Sequence, residues 1–66
     1  MKIRMKRDIL VEVLKTSLQE TWDKPLFRWD ILNVDKMTVE GKWSDLTDYN
    51  GDVFLSVPTD AYEVLS

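Results

Sequence analysis

Residues 8–22, DILVEVLKTSLQETW, carry the reading on which the fold turns. Asp8 is placed to cap the first amides of a helix, and Pro25 stands just past the far end to stop one. At about 100° per residue, Asp8, Glu12, Lys15, Thr16 and Gln19 gather on one side of that helix. Ile9, Leu10, Val13, Leu14 and Leu18 gather on the other. Val11, Leu18 and Trp22 fall within about 40° of one another, a second apolar ridge beside the stripe of Leu10, Val13 and Leu14. One small sheet covers one stripe, so the ridge is expected to be buried by a second copy of the chain, with a two-fold dimer the simplest closed arrangement.

Outward from this segment the pattern changes to period two. After Pro25, Phe27, Trp29 and Ile31, then Met37, Val39 and Trp43, alternate with polar residues, which predicts an antiparallel hairpin turning between Asn33 and Lys36. Val53, Leu55 and Val57 share one face of a later strand that Pro58 ends. KIRMK at 2–6 alternates too, and its lysines suit an edge strand. Two readings of residues 44–51 stay open. Asn50-Gly51 can be the two-residue turn of a hairpin, or Ser44 can cap a helical turn that Gly51 ends in the left-handed conformation. The helix-start character of Ser44, Asp45 and Asp48 favours the second, and either way Asn50 and Gly51 serve the fold as a structural turn. Residues 59–65 fit a short helical turn or an edge strand. The expected fold class is therefore α+β: one main N-terminal helix packed on a small antiparallel sheet of three to four strands, forming a single domain over residues 1–66.

The inventory of side chains narrows the chemistry. There is no histidine and no cysteine, so imidazole bases, thiolate nucleophiles, disulfides and the usual zinc sites are all missing. The four serines, Ser17, Ser44, Ser56 and Ser66, have no imidazole to activate them. No enzyme, no cofactor and no resident metal is expected. The chain is 44% hydrophobic and 11% aromatic, enough for a packed domain. A domain this short is marginal without help from association, because it buries only roughly 60% of its unfolded surface. Trp29 and Trp43 are expected to fill the core, and Trp22 to sit where another chain can reach it. No apolar run is long enough to span a bilayer, and Glu12 and Lys15 interrupt what would be a secretion signal, so a cytoplasmic location is expected.

Charge is unevenly distributed about a net of −3. Lys2, Arg4, Lys6 and Arg7 make the start basic, and such a strand resembles the opening strand of ribbon-helix-helix repressors, which would imply a small nucleic-acid-binding regulator. Strand-patterned residues after the first helix depart from that fold, and the net charge works against phosphate contacts. Beyond Lys42 come Asp45, Asp48, Asp52, Asp60 and Glu63 with no basic residue, a set that an acidic inhibitor of a host nucleic-acid enzyme would use and that turn chemistry explains more simply. Asp45, Asp48, Asn50 and Asp52 invite a calcium reading, but Gly51 comes too early and no glutamate closes the loop.

Trp43 followed by SDLTDYNGDVFLSV is similar to the segment of small prophage-encoded proteins of the YonK type in which a helical turn, an aromatic-Asn-Gly and a β-branched strand follow one another. The resemblance covers residues 43–57 and implies a phage-derived, oligomeric protein without known chemistry. The functional expectation is a non-catalytic protein-binding or self-assembly module, a phage or mobile-element accessory protein whose partner is itself, or a host or phage protein. Its interface would be Val11, Leu18 and Trp22.

Overall fold

In the computed structural model, which describes Met1–Ser66, no α-helix forms. The chain makes seven strands: β1 (Lys2–Met5), β2 (Ile9–Lys15), β3 (Glu20–Leu26), β4 (Ile31–Glu40), β5 (Trp43–Asp48), β6 (Asp52–Pro58) and β7 (Tyr62–Val64). A single 3-10 turn, Thr59–Ala61, links the last two. All neighbours are antiparallel in the order β3-β2-β6-β5-β4-β1-β7. The fold is all-β, and the expected helix on a small sheet is corrected accordingly.

The correction starts in residues 8–22, which fold as β2, a four-residue turn and the first part of β3. Ile9, Val11 and Val13 are β-branched and share one face. Val11 and Val13 are buried, while Leu10 and Glu12, which alternate with them, are exposed. Thr16–Gln19 reverse the chain: the Leu18 amide donates to the Lys15 carbonyl at 3.1 Å, and Gln19 takes a left-handed φ of 54°. The two strands then pair from Ile9↔Leu26 to Lys15↔Glu20. A period of 3.6 and a hairpin with apolar residues on both faces leave the same letters in this stretch, and long-range pairing of β2 with β6 settles the matter.

Three further turns are placed differently from the sequence reading. The expected reversal at Asn33–Lys36 is absent, because β4 runs straight through with a bulge between Val34 and Lys36. Its first residues pair with β1 and its later ones with β5, so the side facing β1 is unpaired beyond Val34. The real turn is Gly41-Lys42, where Gly41 supplies a φ of +60° at the first central position. The segment from Ser44 is strand and not a capped helical turn. Tyr49–Gly51 then form a three-residue hairpin loop: the Gly51 amide donates to the Asp48 carbonyl, and only Gly51 (φ +86°) is left-handed. In β6 a bulge at Ser56 (φ +52°) turns Phe54 and Val57 to the same interior, where the alternation had placed Val53, Leu55 and Val57 together. The Asp45 carboxylate accepts the Ser56 amide at 2.9 Å and holds that bulge.

With no helix to cover its apolar face, the sheet curls over itself. The smallest dimension is 21 Å, about twice the roughly 10 Å that one flat layer occupies. One core cluster draws Ile3 and Met5 from β1, Val11 and Val13 from β2, Leu26 from β3, Val34 from β4, Leu46 from β5, Phe54 and Val57 from β6, and Ala61 and Tyr62 from the C-terminal segment. Both ends of the strand order thus meet in one interior. The aromatics of that interior are Phe54 and Tyr62. Trp29 and Trp43, expected there, stand 57% and 55% exposed.

Candidate interaction surface

An antiparallel sheet that does not close leaves two edges. One is β7, three residues long. The other is β3, which pairs with β2 on one side and with nothing on the other. Glu20 through Pro25 are all exposed, and only Leu26 turns into the core. Pro25 lies opposite Leu10, and pairing continues past it to Leu26↔Ile9. A proline fits there because its nitrogen faces the open side, where no ladder donor is needed. By the alternation of an antiparallel ladder, the N–H and C=O groups of Thr21 and Asp23 face the same open side.

Side chains at this edge fall on two faces. Glu20, Trp22 and Lys24 lie opposite Lys15, Val13 and Val11 and so belong to the concave face of the sheet. Trp22 is 48% exposed, with the Lys15 ammonium 5.4 Å from its ring centre. Lys15 also reaches the Asp52 carboxylate at 3.2 Å, and Lys24 stands 6.0 Å from the Phe54 ring. On the convex face, Leu14 lies beside Val53 and Glu12 beside Leu55. Leu10, 68% exposed, and the partly exposed Leu14, Val53 and Leu55 extend apolar surface inward from the β3 edge.

The expected helical ridge does not form. Val11 is 4% exposed and belongs to the core, so it is removed from the interface. Leu18 sits exposed in the β2–β3 turn and Trp22 on β3, at one end of the same hairpin. Sequence reading missed Glu20, Thr21, Asp23 and Lys24, the residues that make β3 an edge. The signal for it was Pro25, read as a helix stop when it is equally at home in an edge strand.

The basic start is not an edge, since β1 lies between β4 and β7. Arg4 is held by two donor nitrogens on the Glu63 carboxylate, and Arg7 pairs with Asp60 at 3.0 Å. Lys2 and Lys6 remain exposed without acidic partners. Beside them, the Phe27–Asp30 turn displays Trp29 in a left-handed conformation (φ +77°), with Arg28 and Arg4 at 4.4 and 5.6 Å from its ring. The turn is fixed by donation from the Trp29 amide to the Met5 carbonyl and from the Arg28 amide to Asp8.

The acidic residues near Gly51 serve the backbone. Asp48 accepts the amides of Asn50 and Asp52, Asp45 accepts that of Ser56, and Asp52 pairs with Lys15. Nowhere do three acidic side chains converge as metal ligands would. A cleft of about 340 Å³ opens between Lys24, Ile31, Asn33, Asp48 and Tyr49, floored by Val34, Leu46 and Phe54. No helix of the chain is long and apolar enough to cross a membrane.

Comparison with protein families, curated proteins and solved structures finds no match.

Proposed function

We propose that this chain is a non-catalytic protein-binding and assembly module that works by strand addition at the β3 edge. The observation that carries the reading is β3 itself: a seven-residue strand unpaired along one side, exposed from Glu20 to Pro25, with Trp22 among its side chains. An exposed row of backbone donors and acceptors gives affinity to any strand laid against it, and adjacent side chains give selectivity. Exposed large apolar residues, including Leu10, Leu18 and Trp22, border that row. Histidine and cysteine are absent, and exposed backbone and apolar side chains are what the surface offers, so binding is the activity the side chains support best. Nucleic-acid binding through Lys2, Arg4, Lys6 and Arg7 is the weaker reading, because two of the four charges are already paired and the net charge is −3. A cytoplasmic location belongs to the proposal on composition alone.

Backbone amide exchange tests this directly. The Thr21 and Asp23 amides should exchange freely in dilute solution and become protected as protein concentration rises into the high micromolar range. Unchanged exchange at both amides, with self-association occurring elsewhere or not at all, overturns the proposal.

A further inference from the structure

We infer that two copies pair β3 against β3 in antiparallel, with Trp22 opposite Trp22 on the two-fold axis and Glu20 of each strand opposite Lys24 of the other. The inference rests on the assembly reading above and adds to it the partner, a second copy, and the register.

Symmetry restricts the choices. Two identical strands related by a two-fold axis perpendicular to their sheet must pair residues of the same face, so a residue lies opposite itself at the centre. Glu20 and Pro25 end the exposed part of β3, which leaves four interior centres, Thr21 to Lys24. Centring on Asp23 sets two carboxylates face to face, and centring on Lys24 sets two ammonium groups face to face; like charges directly opposite are destabilising. The Asp23 centre also puts Thr21 opposite Pro25, whose missing N–H leaves the Thr21 carbonyl without a donor. Centring on Thr21 sets Glu20 against Trp22 and leaves Lys24 without an acidic partner. The Trp22 centre has none of these faults.

In that register Thr21 and Asp23 of one strand lie opposite Asp23 and Thr21 of the other. These are the residues whose N–H and C=O groups face the open side, and the two pairs use all of them. Pro25 falls just outside, where its lack of a donor ends the ladder at no loss. Trp22 meets Trp22, an aromatic cross-strand pair, flanked on the same face by two Glu20–Lys24 ion pairs. Neither Glu20 nor Lys24 has an ion-pair partner within its own chain. Opposite charges two residues either side of an exposed aromatic are self-complementary only in antiparallel, and only about that aromatic. Leu18 of the turn comes near Leu26 at the far end of the partner strand.

Charge exchange at low salt tests the register. Glu20→Lys and Lys24→Glu should each weaken the dimer roughly tenfold or more, because symmetry turns two attractions into two repulsions. The double variant should recover wild-type affinity to within about threefold. A dimer indifferent to both single changes overturns the register; if its Thr21 and Asp23 amides are still protected the β3 seam stands, and if they are not the assembly reading falls with it. A wild type that stays monomeric overturns both. Should a charge variant fold poorly, cysteines introduced into this cysteine-free chain give a second reading. A Thr21→Cys chain mixed with an Asp23→Cys chain should form a mixed disulfide, since opposite Cα atoms lie about 5.5 Å apart. Two copies of either single variant should not, being displaced by two residues, roughly 7 Å along the strand. Homodisulfides in place of the mixed one overturn the register.

Discussion

Ser44 is one of the two polar residues at which the interior of this small sheet is closed by hydrogen bonds. Its hydroxyl is buried within reach of the Val57 carbonyl at 3.0 Å and the Tyr62 hydroxyl at 2.7 Å, and Tyr62 also contacts the Met37 sulfur at 3.8 Å. Thus β5, β6, β7 and β4 are tied together at one point. Removing either hydroxyl breaks the bond they share and leaves the other with one partner, the Val57 carbonyl for Ser44 or the Met37 sulfur for Tyr62, a loss of about 1 kcal/mol. Ser44→Ala and Tyr62→Phe should each lower stability by that amount. The double variant should lose less than the sum, because the bond between the two hydroxyls can be lost only once. Denaturant titration of the three variants measures the coupling, and strict additivity would contradict the shared bond.

At the scale of the element, β2 makes opposite demands on neighbouring residues. Leu10→Lys on the convex face should leave the stability of the monomer within about 0.5 kcal/mol, and Val11→Lys should unfold the chain by burying an unpaired charge. A helix over residues 8–22 would demand the reverse, with Leu10 in the core stripe and Val11 on the outer ridge, so thermal melts of the two variants decide between the elements. The sequence was misleading here for a definite reason. Ile9-Leu10-Val11 is apolar on both faces of a strand, so period two was hidden, and Thr16–Gln19 turn without a glycine, through a left-handed Gln19. Elsewhere the period was legible and the register was not. Ile3 and Met5 of β1, read as one apolar face, are both in the core. In β6 the shared face of Val53 and Leu55 was read correctly until the bulge at Ser56 turned Val57 away from it; in β4 the bulge after Val34 was read as a turn, and before it Leu32 and Val34, not Ile31, face the core. Of the candidate interface, Trp22 and Leu18 were legible as apolar residues in excess of the core. Glu20 and Lys24 were not, because their meaning depends on which strand is left at the edge.

As a whole molecule the chain solves the problem of a helix-free sheet by curling, and it does so incompletely. Eleven residues fill the interior, while Leu10, Leu18, Trp22, Phe27, Trp29, Val39 and Trp43 remain exposed. Natural sheets blunt their edges with short strands, prolines and charge. Here β7 is short and β3 carries Pro25, yet Thr21–Asp23 remain open between charges that complement a second copy. Association through this edge would extend one sheet across two chains and supplement a core that is small for a free-standing domain. The most direct test is sedimentation velocity on the wild type and on Asp23→Pro. Asp23 lies opposite Glu12 with its N–H facing away from β2, so proline there removes an edge donor and no bond of the β2–β3 ladder. Pairing through β3 requires a wild-type dimer at high micromolar concentration and a folded, monomeric Asp23→Pro chain; a wild type that is monomeric throughout, or a variant that dimerises as tightly as the wild type, rules it out.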